Sequence, residues 1–288
     1  MVIIKIYGGM ANQLFQYAAG YALSNHHNVV LKLDLSYFNS KINDTKREFE
    51  LDKFGITYEI ATKYEIDNLF NFNYVSYAIN KLRPFSRKKF YGEKILGYNE
   101  NFFNLSNNVY LRGYFQSELY FQNFKNDILK IYQINHDKIS SIISIANDLS
   151  KTNSIAVHVR LGDYLNTNLN EVMVSFDINY YKNAISYFNN NIQGAKFYVF
   201  SDQIDLAKKL FNFDFESVFI DNKISKNSLE DFYLMQSCQH QIIANSTFSW
   251  WAAYLNKNIS KRVIAPKNWY KKEYGIPIDL YPSDWIIL

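Results

Sequence analysis

Short apolar runs of strand length recur along this chain, and most are followed by residues whose apolar positions return at helical steps. Strands alternating with helices throughout indicate an α/β fold with parallel sheets. The N-terminus is the plainest case. Val2 to Tyr7 is an apolar run of the buried-strand kind, Gly8-Gly9-Met10-Ala11-Asn12-Gln13 follows, and Leu14 to Leu23 has helical spacing. Strand, glycine turn and helix open a Rossmann-like unit. The two glycines permit close backbone approach, and the helix N-terminus favours a negative charge. The third glycine of the dinucleotide fingerprint is missing. Asn12 and Gln13 stand at the mouth of the turn, either as amide donors to a ligand or, for Asn12, as a helix cap. Val29 to Leu33 reads as the next strand, ending at Asp34.

From Ser36 to about Phe124 the pattern is irregular, with helices, loops and one strand near Val109 to Leu111. Gln116, Ser117 and Glu118 then offer acceptor-side polar groups or a plain helix start. Ile128 to Leu149 reads as one or two amphipathic helices leading into the second half. There Ile155, Val157 and Val159 alternate with Ala156, His158 and Arg160 until Gly162 breaks the strand. His158, Arg160 and Asp163 therefore lie at or just past a strand end, where open α/β sheets bind ligands. Lys196 to Phe200, Val218 to Ile220, Gln241 to Ala244 and Val263 to Ala265 read as further strands. Helices are expected over Asp177 to Phe188, Ile204 to Phe211 and Ser228 to Ser237. Asp202 closes one strand; Ser246 and Thr247 start a helix after another, with hydroxyls turned to a ligand. The expected division is an N-terminal Rossmann-like domain over 1–150 and a C-terminal one over 151–288.

Composition narrows the function. A net charge of +4 with no dense Lys/Arg block excludes a nucleic-acid partner and suits an anionic small ligand. The basic run from Arg83 to Lys89 is a solvated loop or a contact with a lipid surface. The single cysteine, Cys238, forms no internal disulfide, reads as a small buried hydrophobe, and points to a reducing compartment. Neither a signal peptide nor a membrane-spanning run is recognisable. The expected location is cytoplasmic, with at most peripheral contact at the inner face of the membrane.

The three strand ends of the second half combine into one chemistry. Arg160 and the helix start at Ser246 and Thr247 suit a diphosphate, and the Asp202 carboxylate suits the N–H edge of a guanine. That is what a sugar-nucleotide transferase needs, because its departing nucleoside diphosphate must be stabilised by a metal or by cations and N–H dipoles. No Asp-x-Asp pair stands next to a strand end to hold a divalent metal, so Arg160 takes the metal's place and no metal site is expected.

Four ordered motifs carry a resemblance to a known family. Gly8-Gly9-Met10-Ala11-Asn12-Gln13-Leu14-Phe15-Gln16-Tyr17, His158-Val159-Arg160-Leu161-Gly162-Asp163-Tyr164, Phe200-Ser201-Asp202 and Asn245-Ser246-Thr247-Phe248-Ser249-Trp250-Trp251 resemble those of the α-1,2-fucosyltransferases, glycosyltransferase family 11. The resemblance implies a GT-B fold, two Rossmann-like domains with parallel sheets facing a cleft, the N-terminal one on the acceptor side. It implies GDP-β-L-fucose as donor substrate, no resident cofactor or obligatory metal, and inversion at the anomeric carbon. The implied acceptor is the 2-hydroxyl of a galactose-terminated oligosaccharide or lipid-linked glycan, in surface glycan synthesis. By the same likeness Arg160 binds the β-phosphate, His158 and Asp202 the guanosine, and Ser246, Thr247 and Phe248 the diphosphate region. Gly9 and Asn12 approach the donor from the other domain.

Asp163 or Glu171 is the expected base, with an Asp163–Arg160 pair or a loose transition state needing little base help as the other readings. Where the family commonly carries a second arginine this chain has Leu161, expected to pack inward. Fucose transfer to another position or to a protein, and a non-catalytic nucleotide- or glycan-binding protein, are the alternatives.

Overall fold

In a computed structural model, the described residues are 1–39, 47–93, 97–162, 177–211, 215–270 and 279–288. The chain forms two compact units. The first is Met1–Gln133 joined by Asp279 and Leu280, and the second takes the remainder from Ile134 onward.

The first unit holds a parallel sheet of β1 (Val2–Lys5), β2 (Leu31–Asp34), β3 (Glu59–Ile60), β4 (Phe90–Gly92) and β5 (Val109–Arg112), in the order β3-β2-β1-β5-β4. Ile4 sits in the middle, opposite Leu33 on one side and Leu111 on the other, and all three are fully buried. Helix α1 (Met10–His26) follows β1 and is buried on nearly all sides, which is why it shows so little amphipathic contrast. α2 (Lys63–Leu69) begins at a reciprocal cap: Thr62 accepts from the Glu65 amide while the Glu65 carboxylate accepts from the Thr62 amide. α3 (Tyr74–Leu82) and α4 (Lys125–Ile131) complete the unit's helices longer than a 3₁₀ turn among the described residues. Strands β3 and β4 lie inside the stretch expected to be helices and loops. Their two and three residues are too few to show a period.

The second unit holds β6 (Ser154–Val159), β7 (Lys196–Ser201), β8 (Ser217–Phe219), β9 (His240–Ile242), β10 (Val263–Ala265) and β11 (Ile286–Ile287), parallel, in the order β11-β10-β9-β6-β7-β8. β6 is central and buried on both faces. Ile155, Val157 and Val159 meet Tyr181, Ala184, Ile185 and Phe188 of α6 (Ile178–Asn191), so the period-two strand packs on a period-3.6 helix. His158 points to the opposite face, where α9 (Thr247–Tyr254) receives it. Between these lie α7 (Ile204–Leu210) and α8 (Ser228–Ser237).

The division between units falls at Gln133/Ile134, not near residue 150. The 3₁₀ turn His136–Ile142 and α5 (Ile143–Leu149) pack on α8, and the Ser141 hydroxyl donates to the buried Glu230 carboxylate at 2.8 Å. That contact, with its carboxylate buried and its hydroxyl at the surface, ties the segment to α8. Asp279 returns to the first unit because its carboxylate accepts from the Tyr98 amide at 2.5 Å and its carbonyl from the Ser117 hydroxyl at 2.7 Å.

Candidate nucleotide-sugar site

In the second unit, polar groups gather at the carboxyl ends of β6, β7, β9 and β10, where ligands bind in sheets of this kind. Val159 pairs with Ser201, so the residues that follow, Arg160 and Asp202, lie side by side. The Asp202 carboxylate accepts the Leu161 amide at 2.8 Å and the Gly162 amide at 3.0 Å, and its Oδ2 lies 3.5 Å from Arg160 Nε. Gly162 is required by that close approach: a Cβ there would stand 2.5 Å from Asp202 Oδ2. Asp202 thus fixes the strand end and orients the guanidinium, with both side chains one-third exposed. Leu161 is packed inward in the core beside α6, so the departure from the family's second arginine is a buried apolar contact.

His158 is buried, and its Nδ1 lies 2.9 Å from Ser249 Oγ. The Ser249 hydroxyl has one proton, which it donates to the Ser246 carbonyl at 3.2 Å. With the proton placed there, His158 Nδ1 is the donor to Ser249 and the lone pair is on Nε2. Burial, reinforced by the neighbouring Arg160 charge, lowers the imidazole pKa to about 3, so the ring is neutral at physiological pH. His158 offers an acceptor, never a cation. The Phe248 ring lies over it at 5.8 Å between centroids.

Ser246 is the N-cap of α9, its hydroxyl accepting from the Phe248 amide at 3.3 Å. That hydroxyl is therefore committed to the helix and is not simply turned outward. Thr247 and Phe248 are half-buried on the first turn, at the positive end of the helix dipole. Arg160, Asn245, Lys267 and Asn268 line a small hollow of about 70 Å³ with Tyr180 and Tyr181 as part of its wall. The tyrosines brace strand ends: Tyr180 donates to the carbonyls of Ile243 and Ile264, and Tyr181 to that of His158. Asp177, on the same wall, caps α6 by accepting the Asn179 amide at 2.9 Å. Among the described side chains that line the hollow, two are cations, Arg160 and Lys267, and one is a carboxylate that accepts a backbone amide. Lys267 was missed in the sequence, although its place directly after β10 and Pro266 is the same strand-end signal that singled out Arg160.

In the first unit, Gly8 adopts φ +78°, which the turn from β1 into α1 requires. The turn is bound from within. Gln13 is fully buried; its amide donates to the Gly8 and Glu48 carbonyls and accepts from the Glu50 amide, so it is a brace and no ligand donor. Gly9, not Asn12, is the N-cap of α1. The Met10 amide donates to Glu50 Oε2 at 3.0 Å, so the chain places its own carboxylate at this helix start. The Arg47 guanidinium stands beside Gly9 at the same turn, so both a carboxylate and a cation meet this helix start. Asn12 is half-buried and its Oδ1 accepts from Gln116 Nε2 at 3.1 Å, while Ser117 is buried and caps the next turn.

Glu93, just past β4, also escaped the sequence reading. Its Oε2 accepts the amides of Tyr114 and Phe115, and burial holds its carboxyl above the usual carboxylate range. Nearby, the Tyr7 ring lies 5.0 Å from Tyr114 and 6.0 Å from Tyr37. Asp163 and Glu171 lie outside the described residues. Among the described residues, no group of three or more His, Cys, Asp or Glu is placed to hold a metal ion.

Two parallel sheets with a polar, cation-bearing strand edge define a GT-B glycosyltransferase fold. In line with this, the structure of a mutant of Arabidopsis thaliana FUT1 in complex with GDP aligns with 98% of this chain and 74% of that one, with a TM-score of 0.54 at 11% identity. Residues 1–288 match Glycosyl transferase family 11, and the chain belongs to that family. It is 34% identical to an α-1,2-colitosyltransferase of Escherichia coli, over 99% of this chain and 98% of the relative. It is 33% identical to the O-antigen biosynthesis glycosyltransferase WbnK of Escherichia coli, over 91% of this chain and 93% of the relative.

Proposed function

We propose that this glycosyltransferase moves L-fucose from GDP-β-L-fucose to the 2-hydroxyl of a galactoside, with inversion and without a metal. The observation that carries the reading is Arg160, oriented by Asp202 and sharing a hollow with Lys267. When the bond from the anomeric carbon to the β-phosphate oxygen breaks, the diphosphate keeps the electron pair. Arg160, Lys267 and the first-turn amides of α9 are the groups that would offset that charge. His158 Nε2 is suited to accept an N–H or O–H from the nucleoside, and the Phe248 ring to lie against it. The acceptor oxygen attacks the opposite face of the anomeric carbon and gives its proton to a carboxylate, for which Asp163 and Glu171 are the candidates.

The likeness to an α-1,2-colitosyltransferase favours a second reading of the donor sugar, since colitose is fucose without its 3-hydroxyl. The two readings differ sharply in selectivity. A site that hydrogen-bonds the 3-hydroxyl rejects the deoxy sugar by roughly 10⁴-fold, whereas an apolar site discriminates by about 100-fold or less.

The test is GDP release from GDP-fucose and GDP-colitose, with and without β-galactosides, in EDTA, followed by linkage analysis. Release that depends on a galactoside and survives EDTA, with an α-1,2 product, is expected. Abolition by EDTA with rescue by manganese would overturn the metal-free reading. Arg160→Ala is expected to lose about a hundredfold or more in turnover, as removal of a charge-stabilising donor does. Near wild-type turnover in a folded Arg160→Ala protein would remove the role given to the guanidinium.

A further inference from the structure

Helix α3 is built inside out. Of its nine residues only one is buried, and that one is the polar Asn80. Its apolar side chains face solvent instead: Tyr74 and Leu82 are each 87% exposed, and Val75 and Ile79 at least half. An exposed apolar set of this density on one short helix marks an interaction site, not packing.

The charge around it has one sign. Residues 68–92 contain Lys81, Arg83, Arg87, Lys88 and Lys89 and no acidic residue, although the whole chain carries only +4. The rest of the chain is therefore slightly acidic, and the positive charge is concentrated here. Ile79, Leu82, Arg83, Arg87 and Lys89 share the lining of one shallow depression, which among the described residues no carboxylate lines.

The segment is also held in shape. Asn80 Oδ1 accepts the amides of Lys89 and Phe90, its Nδ2 donates to the Phe90 carbonyl, and the Lys88 ammonium donates to the Asn80 carbonyl. The single buried residue of α3 thus ties the helix to β4 and presents the basic loop beside the apolar side chains.

We propose that α3 and the loop Arg83–Lys89 form a docking surface for an anionic lipid bilayer, with Tyr74, Val75, Ile79 and Leu82 entering the headgroup boundary and the cations meeting lipid phosphates. Apolar residues flanked by Lys and Arg on a short amphipathic helix are what an interfacial site requires. A single-sign fringe of five cations complements a negatively charged leaflet. It complements a second copy of the same surface poorly, because like charges would then face each other. The inference does not depend on the donor or acceptor named above.

Co-sedimentation of the full chain with phosphatidylcholine vesicles, with and without phosphatidylglycerol, tests it. Binding is expected only to the anionic vesicles, and it should weaken at high salt. Arg83→Ala and Arg87→Ala should each weaken it roughly fivefold. Leu82→Ser combined with Tyr74→Ser should release the protein while leaving its thermal midpoint and GDP binding unchanged, since both side chains are exposed. Equal binding to neutral vesicles, binding to neither kind, or an unaffected double variant would overturn the proposal. Self-association through this face without lipid would overturn it in favour of a second copy.

Discussion

The buried His158 makes the second unit sensitive to mild acid, by an amount that follows from its surroundings. Its ring is neutral in the folded protein, with a pKa of about 3 against 6.5 when exposed. Between those values the unfolded chain binds a proton that the folded chain does not, so stability is lost as pH falls below 6.5. The contribution is fully present above 6.5. At pH 5 the linkage relation gives a loss of about 2 kcal/mol relative to pH 7. Urea unfolding read by tryptophan fluorescence isolates the relevant unit, because Trp250, Trp251, Trp269 and Trp285 all lie in it. His240, in the same unit, also has a lowered pKa and adds a slope of the same sign. The informative quantity is therefore the difference between wild type and His158→Asn, whose amide keeps a donor where Nδ1 now meets Ser249. The variant should lose less stability between pH 7 and 5 than wild type, by about 2 kcal/mol. An identical pH dependence, or an NMR titration of His158 near its ordinary pKa, would refute the burial of a neutral imidazole.

Two further substitutions probe the strand edge. Gly162→Ala places a Cβ against the Asp202 carboxylate at 2.5 Å, so the carboxylate must move and release two amides. A loss of about 1–3 kcal/mol is expected, read as a lower thermal midpoint; an unchanged midpoint would mean that Asp202 does not fix this edge. Lys267→Ala should raise the KM for the nucleotide sugar about tenfold while sparing stability, the scale of one charge-assisted hydrogen bond; an unchanged KM would leave Arg160 as the hollow's only working cation.

Legibility of the sequence followed burial and length. β6 could be read from the sequence because its residues alternate and Gly162 ends the run; that Asn227 caps the helix Ser228–Ser237 is seen only in the structure. β8, β9 and β10, of three residues each, were still legible as apolar runs between helices, whereas β3, β4 and β11 were not, and what makes these strands is the neighbour they pair with. The same reasoning separates the site residues. Arg160 and Asp202 were visible as polar residues ending apolar runs, a local signal. What Asp202 does with its carboxylate was not, since its partners are backbone amides 41 and 40 positions earlier. Nor could a motif show that Glu50 accepts from the start of α1, where α9 is capped by its own Ser246.

That last contrast bears on how the chemistry divides between the two units. Both sheets present a glycine- or serine-marked turn into a helix after a central strand, and by sequence either suits an anion. In the first unit the turn is closed by Gln13 and Glu50, groups that brace it and supply a negative charge of its own. In the second, the corresponding edge carries Arg160 and Lys267, and Asp202 and Asp177 there accept backbone amides. The turn of the first unit, however, also has the Arg47 guanidinium beside Gly9, so the contrast lies in the carboxylate that this turn carries and the second edge's paired cations. The polar and aromatic edge of the first, with Asn12, Gln116, Tyr7 and Tyr114, has chemistry better suited to an uncharged sugar, which offers hydroxyls to amides and C–H faces to rings.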